Sequence, residues 1–173
     1  NLSGSSVTVS EDSSTKLTGV DVTTLNLTSS SDIEDSAATT LEVDGLATIT
    51  NSGAGTIVLG DDATDTTNFG TLNLNGTTVT VTEDSATELT GVTATGALTL
   101  TSAGAITDSA DTTLSVNGLA TFTNAGAGAI TLGNHADDET DFGTLNLNGT
   151  TVTVTEDSAT ELTGVTATGA LTL

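Results

Sequence analysis

TLNLNGTTVTVTEDSATELTGVTATGALTL, Thr71–Leu100, returns letter for letter at Thr144–Leu173. A looser copy, NLSGSSVTVSEDSSTKLTGVDVTTLNL, opens the chain at Asn1–Leu27. The stretch between the copies repeats as well: DSAATTLEVDGLATITNSGAGTIVLG at Asp35–Gly60 aligns without a gap with DSADTTLSVNGLATFTNAGAGAITLG at Asp108–Gly133. Self-similarity at a fixed period marks an array of stacked units rather than a globule with one unique core. Residues 1–173 therefore read as one solenoid segment: a partial repeat 1–70, a full repeat 71–143 and a partial repeat 144–173. The start in mid-repeat reads as an excerpt of a longer array.

Thr, Gly, Ser, Ala and Asn dominate, and Val, Leu and Ile form the apolar minority. The only aromatics are Phe69, Phe122 and Phe142, and Pro, Cys, Met, Trp and Tyr are absent. Thr and Val suit a pleated, half-buried strand, while good helix formers such as Lys, Arg, Met and Gln are nearly or wholly missing, so no helix is expected. Low aromatic content with a net charge of −22 also suits a disordered chain. The regular alternation of Leu, Val and Ile with Thr, Asn and Ser argues for strands instead.

Each 73-residue unit divides into runs that place every second residue on one face. Thr71–Ala94 points Leu72, Leu74, Val79, Val81, Leu89 and Val92 inward. Thr95–Gly118 does the same with Leu98, Leu100, Ile106, Leu114 and Val116, and Leu119–Gly143 with Ala120, Phe122, Ile130, Leu132 and Phe142. Runs this short need neighbours above and below. They predict an all-β fold, a right-handed parallel β-helix (β-solenoid) of about seven coils of about 24 residues, three coils per repeat. Asn75-Gly76, Asn117-Gly118, Asn148-Gly149 and Asp44-Gly45 are placed at corners, where positive φ comes easily to these residues. The rival is an immunoglobulin-type sandwich, but the repeat unit is short for that fold and no Trp or Tyr marks its core. The absence of Pro also fits a ladder in which no backbone N–H can be spared.

GALTLTSAGAIT, TTLSVNGLATFTNAGAGAITLG and FGTLNLNGTTVTVTEDSA resemble the repeats of giant bacterial surface adhesins and exoproteins of the filamentous haemagglutinin type. The resemblance covers essentially the whole chain. It implies a β-helical shaft, exported by two-partner or autotransporter-like secretion and acting in adhesion or biofilm. The expected location is extracellular, at the bacterial cell surface. The secretion domain of that family does not appear in this sequence.

Lys16 is the only base and there is no Arg, against 23 acids. Phosphate backbones and anionic headgroups are bound by Lys and Arg, so neither nucleic acid nor a membrane surface is expected as a partner. There is no run of about 20 apolar residues to cross a bilayer. With one His and no Cys there is no nucleophilic triad and no zinc set, and no enzyme is expected. The expected partners are further repeats of the same chain or identical subunits stacked end to end.

Four features are candidates for sites. Asp61, Asp62 and Asp65, answered by Asp137, Asp138, Glu139 and Asp141, form acidic loops with the oxygen donors that Ca²⁺ takes. The GGxGxDxUx signature of calcium-binding β-rolls is missing, so a solvated loop that keeps the shaft soluble is the favoured reading and no cofactor is assigned. Glu83-Asp84, recurring as Glu11-Asp12 and Glu156-Asp157, reads as a corner whose two acids point to opposite faces. Lys16, standing where Glu88 and Glu161 occur later, and His135, standing where Asp62 occurs earlier, read as exposed substitutions. The outward rows Thr78, Thr80, Thr82, then Thr99, Thr101, then Thr121, Thr123 read as ordinary strand polarity. Binding of host or matrix carbohydrate, or of ice, is the alternative for such flat faces.

Overall fold

In the strand Thr78–Glu83 the buried residues are Val79, Val81 and Glu83, and the half-exposed ones are Thr78, Thr80 and Thr82. That two-residue rhythm governs the whole chain, because every pairing between strands is parallel and each strand needs a face for the interior. The computed structural model describes residues 1–173 as seventeen strands with no helix. It is a parallel β-solenoid of about 8 turns of about 22 residues. Every apolar residue assigned above to the interior is buried, within one cluster of 34 residues reaching from Leu17 to Val154.

A single turn shows the plan. From Leu98–Ser102 the chain runs through Ile106–Asp108 into the first half of Thr113–Asn124. The second half of that strand then lies on Leu98–Ser102, with Leu98 beside Ala120 and Leu100 beside Phe122. The cross-section thus has three sides. Of 103 backbone–backbone hydrogen bonds, 78 join strands, so a Pro inside a strand would break the ladder.

The turns are unequal, which the even division into coils did not anticipate. Ile57, Val79, Leu98, Ala120 and Leu145 stack in one column, yet the chain between them is shortest from Val79 to Leu98 and longest from Ala120 to Leu145. The still shorter path from Leu72 to Leu89 contains only tight corners. The long one from Ala47 to Leu72 must also contain the loop around Asp61–Asp65. Three turns beyond Val79 the chain is at Leu145, still short of Val152, the equivalent of Val79 in the next copy. One repeat therefore spans about three and a third turns, and equivalent residues fall on successive sides. Ile33 belongs to the column of Ile57, Val79 and Leu98, whereas Ile106 stacks between Thr87 and Ile130.

The corner glycines also differ from expectation. Among glycines, positive φ occurs at Gly4, Gly19, Gly60 and Gly133, not at Gly45, Gly76, Gly118 or Gly149. At these last four the adjacent turn lies close: a Cβ on Gly118 would clash at 2.7 Å with the Gly96 carbonyl oxygen, whereas one on Gly76 would meet Ile57 Cδ1 at a tight 3.2 Å. Asp44-Gly45 and Asn117-Gly118 are corners all the same, since the register slips between Val43 and Leu46 and between Val116 and Leu119.

Candidate functional site

Two polar groups lie where the alternation demands an apolar one. Two residues beyond Ile33 and Ile106, both fully buried, stand Asp35 and Asp108, 7 % and 5 % exposed. Each accepts from a glycine N–H of the following turn, Asp35 Oδ1 from Gly60 (3.2 Å) and Asp108 Oδ2 from Gly133 (3.0 Å). No N–H or hydroxyl reaches the second carboxylate oxygen of each. Burial pushes the Asp35 carboxyl up to about 6, and the charges of Asp65 and Asp61 add to the shift against the Gly60 N–H. Asp108 is raised by burial, by the charge of Asp138 and by the hydrogen bond its protonated carboxyl makes to Asp138.

Gly60 and Gly133 adopt φ of 68° and 65°. A Cβ on Gly60 would overlap the Thr82 carbonyl oxygen and lie 2.7 Å from Thr67 Oγ1. Gly60→Ala is accordingly expected to cost about 3 kcal/mol of stability, read by urea unfolding, from the left-handed backbone and the clash together. A loss below about 1 kcal/mol would show that the loop relaxes freely.

The acidic loop meets this buried aspartate from outside. Asp65 is fixed by two backbone donors, Thr39 N–H to Oδ1 (2.8 Å) and Asp62 N–H to Oδ2 (3.0 Å). In the second copy Thr112 N–H donates to Asp138 Oδ1 (3.1 Å) and His135 N–H to Oδ2 (2.8 Å), while His135 Nδ1 lies 3.3 Å from Oδ2. Burial works to raise Asp138, but these N–H groups and the His135 ring outweigh it and hold the carboxyl below its usual value. One donor atom from each of Asp35, Asp61 and Asp65 lies within 4.8 Å of the others, and the same is true of Asp108, His135 and Asp138.

Of the loop residues singled out from the sequence, Asp61, Asp65 and Asp138 thus come together with a buried partner. Asp62 does not: its Oδ1 accepts from Thr64 N–H (3.0 Å) and Thr64 Oγ1 (2.7 Å), which lowers its pKa and closes the loop. Asp137, Glu139 and Asp141 are exposed outside the cluster, Asp141 Oδ1 accepting from Ser158 Oγ at 2.9 Å. The loops align as Asp61 with Asn134, Asp62 with His135 and Asp65 with Asp138. His135 is exposed as expected, yet its ring and N–H both engage Asp138 rather than solvent alone.

Glu83 and Asp84 do point to opposite faces, but Glu83 is the inner one, 1 % exposed. Its Oε1 accepts from Phe69 N–H (2.7 Å) and its Oε2 from Thr87 Oγ1. Burial pushes its carboxyl up to about 7. Asp84 turns outward and caps Thr67 N–H at 2.9 Å. The equivalent Glu11 is exposed and Glu156 half-buried. Lys16 is exposed, next to Glu34 in the following turn.

The Thr rows do face outward and stack, Thr80 beside Thr99 beside Thr121, and Thr82 beside Thr101 beside Thr123. Val58 precedes the first row, and Asn146 and Asn148 follow the two. All three Phe side chains are buried, so no aromatic platform is left for a sugar ring to stack on. A surface hollow of about 500 Å³ beside Asp138, Glu139, Asp141 and Asp157 holds no basic residue.

What places the molecule in a class is the stack itself: a parallel β-solenoid built from a tandem repeat. The chain belongs to the family described as repeats of unknown function (DUF5649), whose model matches residues 4–75 and again 76–148. The second match has the period read from the sequence, phased five residues later than 71–143. No curated protein and no solved structure matches the chain.

Proposed function

We propose that the chain is a shaft segment of a secreted or cell-surface bacterial adhesin or extracellular filament, a stiff rod that supplies reach in adhesion or biofilm and performs no catalysis. The observation that carries this reading is the apolar interior, continuous from Leu17 to Val154 inside a ladder in which each inner turn is bonded on both sides. Such a stack resists bending, because every turn contacts only its neighbours through a full set of hydrogen bonds. An acidic exterior with one base favours solubility over adhesion to nucleic acid or anionic lipid. Further repeats, or identical subunits stacked end to end, suit the parallel strand edges as partners. The resemblance to filamentous haemagglutinin-type repeats supports the extracellular setting.

Length and location test the reading. Inserting one more repeat should lengthen the particle by about 16 Å in small-angle scattering, at about 4.8 Å per turn. Antibody against the repeat should label the surface of intact cells. An unchanged maximum dimension, or label seen only after lysis, sinks the proposal.

A further inference from the structure

We propose, independently of the shaft reading, that each repeat holds a divalent cation between the buried aspartate of one turn and the acidic loop of the next: Asp35 with Asp61 and Asp65 in the first copy, Asp108 with His135 and Asp138 in the second. The first support is the enclosed carboxylate oxygen that no N–H or hydroxyl reaches, Oδ2 in Asp35 and Oδ1 in Asp108, the latter facing the Asp138 carboxylate. An unmatched buried oxygen costs stability, and one carrying negative charge costs more. The hydroxyls of Thr67 and Thr140, which border Gly60 and Gly133, are likewise enclosed and unpartnered. These oxygens recur at the same position in two copies.

The second support is geometric. Three donor atoms within 4.8 Å of one another can all touch one ion, since Ca²⁺ binds oxygen at about 2.3–2.6 Å and donors across it stand about 5 Å apart. The backbone donors to Asp65 and Asp138 fix those carboxylates in place before any ion arrives and leave lone pairs free. Asp61 and His135 are exposed, so water can complete the coordination shell. In the first copy no fixed cation stands in, for Lys16 borders the hollow beside Asp35 without an ion pair; in the second, His135 Nδ1 lies 3.3 Å from Asp138 Oδ2, and only the neutral ring can serve as a ligand.

The two copies differ informatively. Asn134 replaces Asp61, and the third donor passes to His135, the next residue. The first site is all oxygen and suits Ca²⁺; the second includes an imidazole nitrogen and suits Mn²⁺ or Zn²⁺ as well.

Calorimetric titration of the whole chain with Ca²⁺ alone should show saturable binding, and saturating Ca²⁺ should raise Tm by about 5 °C or more. Zn²⁺ should bind the parent and be lost in His135→Ala. Asp35→Asn with Asp108→Asn should abolish the Ca²⁺ heat and the gain in Tm while keeping the strand circular dichroism. Asp61→Asn, at an exposed position, should weaken Ca²⁺ binding at the first site while keeping the strand circular dichroism. Absence of saturable heat in the parent overturns the proposal. So does a gain in Tm that survives in the double variant, or that Na⁺ reproduces at equal ionic strength, because screening of the acidic surface would then explain it.

Discussion

Glu83→Gln is expected to stabilise the protein by about 3 kcal/mol at pH 8 and to leave it unchanged near pH 4. Glu83 sits at the end of an inner run of the ladder, and burial raises its carboxyl from 4.5 to about 7 in the folded chain. Below about pH 4.5 both the folded and unfolded forms carry the proton, and nothing distinguishes them. Between about 4.5 and 7 the unfolded chain has released its proton while the folded chain still holds it, so unfolding is increasingly favoured as the pH rises. Above about 7 both forms are ionised and the loss is complete. An amide copies the protonated acid: its oxygen accepts from Phe69 N–H and its NH₂ faces Thr87 Oγ1. Urea unfolding of parent and variant across pH 4–8 measures the difference. Equal differences at both ends would mean that Glu83 ionises in the folded chain as readily as in water.

Phe122→Ala is expected to cost about 4 kcal/mol, whereas Phe122→Ile should cost less than about 1.5 kcal/mol. Phe122 is fully buried between Leu100 and Leu147 in its column and meets the edge of Phe142 with ring centroids 5.5 Å apart at 66°. An alanine leaves a hole that a hydrogen-bonded ladder cannot close by moving one strand. Isoleucine is the residue at the equivalent position of the preceding copy, where Ile49 stacks between Leu27 and Leu74 and is equally buried. Since turns contact only their neighbours, the alanine variant should also lose cooperativity, the two flanks unfolding at different urea concentrations. A single transition at the parental midpoint would contradict this account.

The parity of Val79 and Val81 was enough to place the interior, because a two-residue period leaves no other choice for a strand covered on one side. The same parity, carried one step further, points at Glu83; after Ile33 and Ile106 it points at Asp35 and Asp108. Chemical type argued the other way, since an acid after a strand reads as a corner in water. The cluster that includes Asp35 was not legible for a second reason: Asp61 and Asp65 lie two strands further along the chain, and only the turn length brings them over it. That length depends on loops. An even division into coils could not anticipate both the short path from Leu72 to Leu89 and the long one from Thr113 to Glu139. Identical repeats concealed the point, for they suggest a whole number of turns per copy. The Asp-Gly and Asn-Gly corners were found in the right places but not for positive φ; the adjacent turn crowds a Cβ there, to the point of a clash at Gly118.

The fractional turn per repeat works like the thread of a screw. In an array of such repeats each copy would present its acidic loop one side further round, and the pattern would come back to its starting side after three copies, about ten turns or about 48 Å. A flat partner lying along the rod would then meet one loop per pitch rather than an unbroken stripe. A partner that wraps would meet all of them, so grip on such a rod would depend on the partner's reach and curvature more than on its affinity for any single loop.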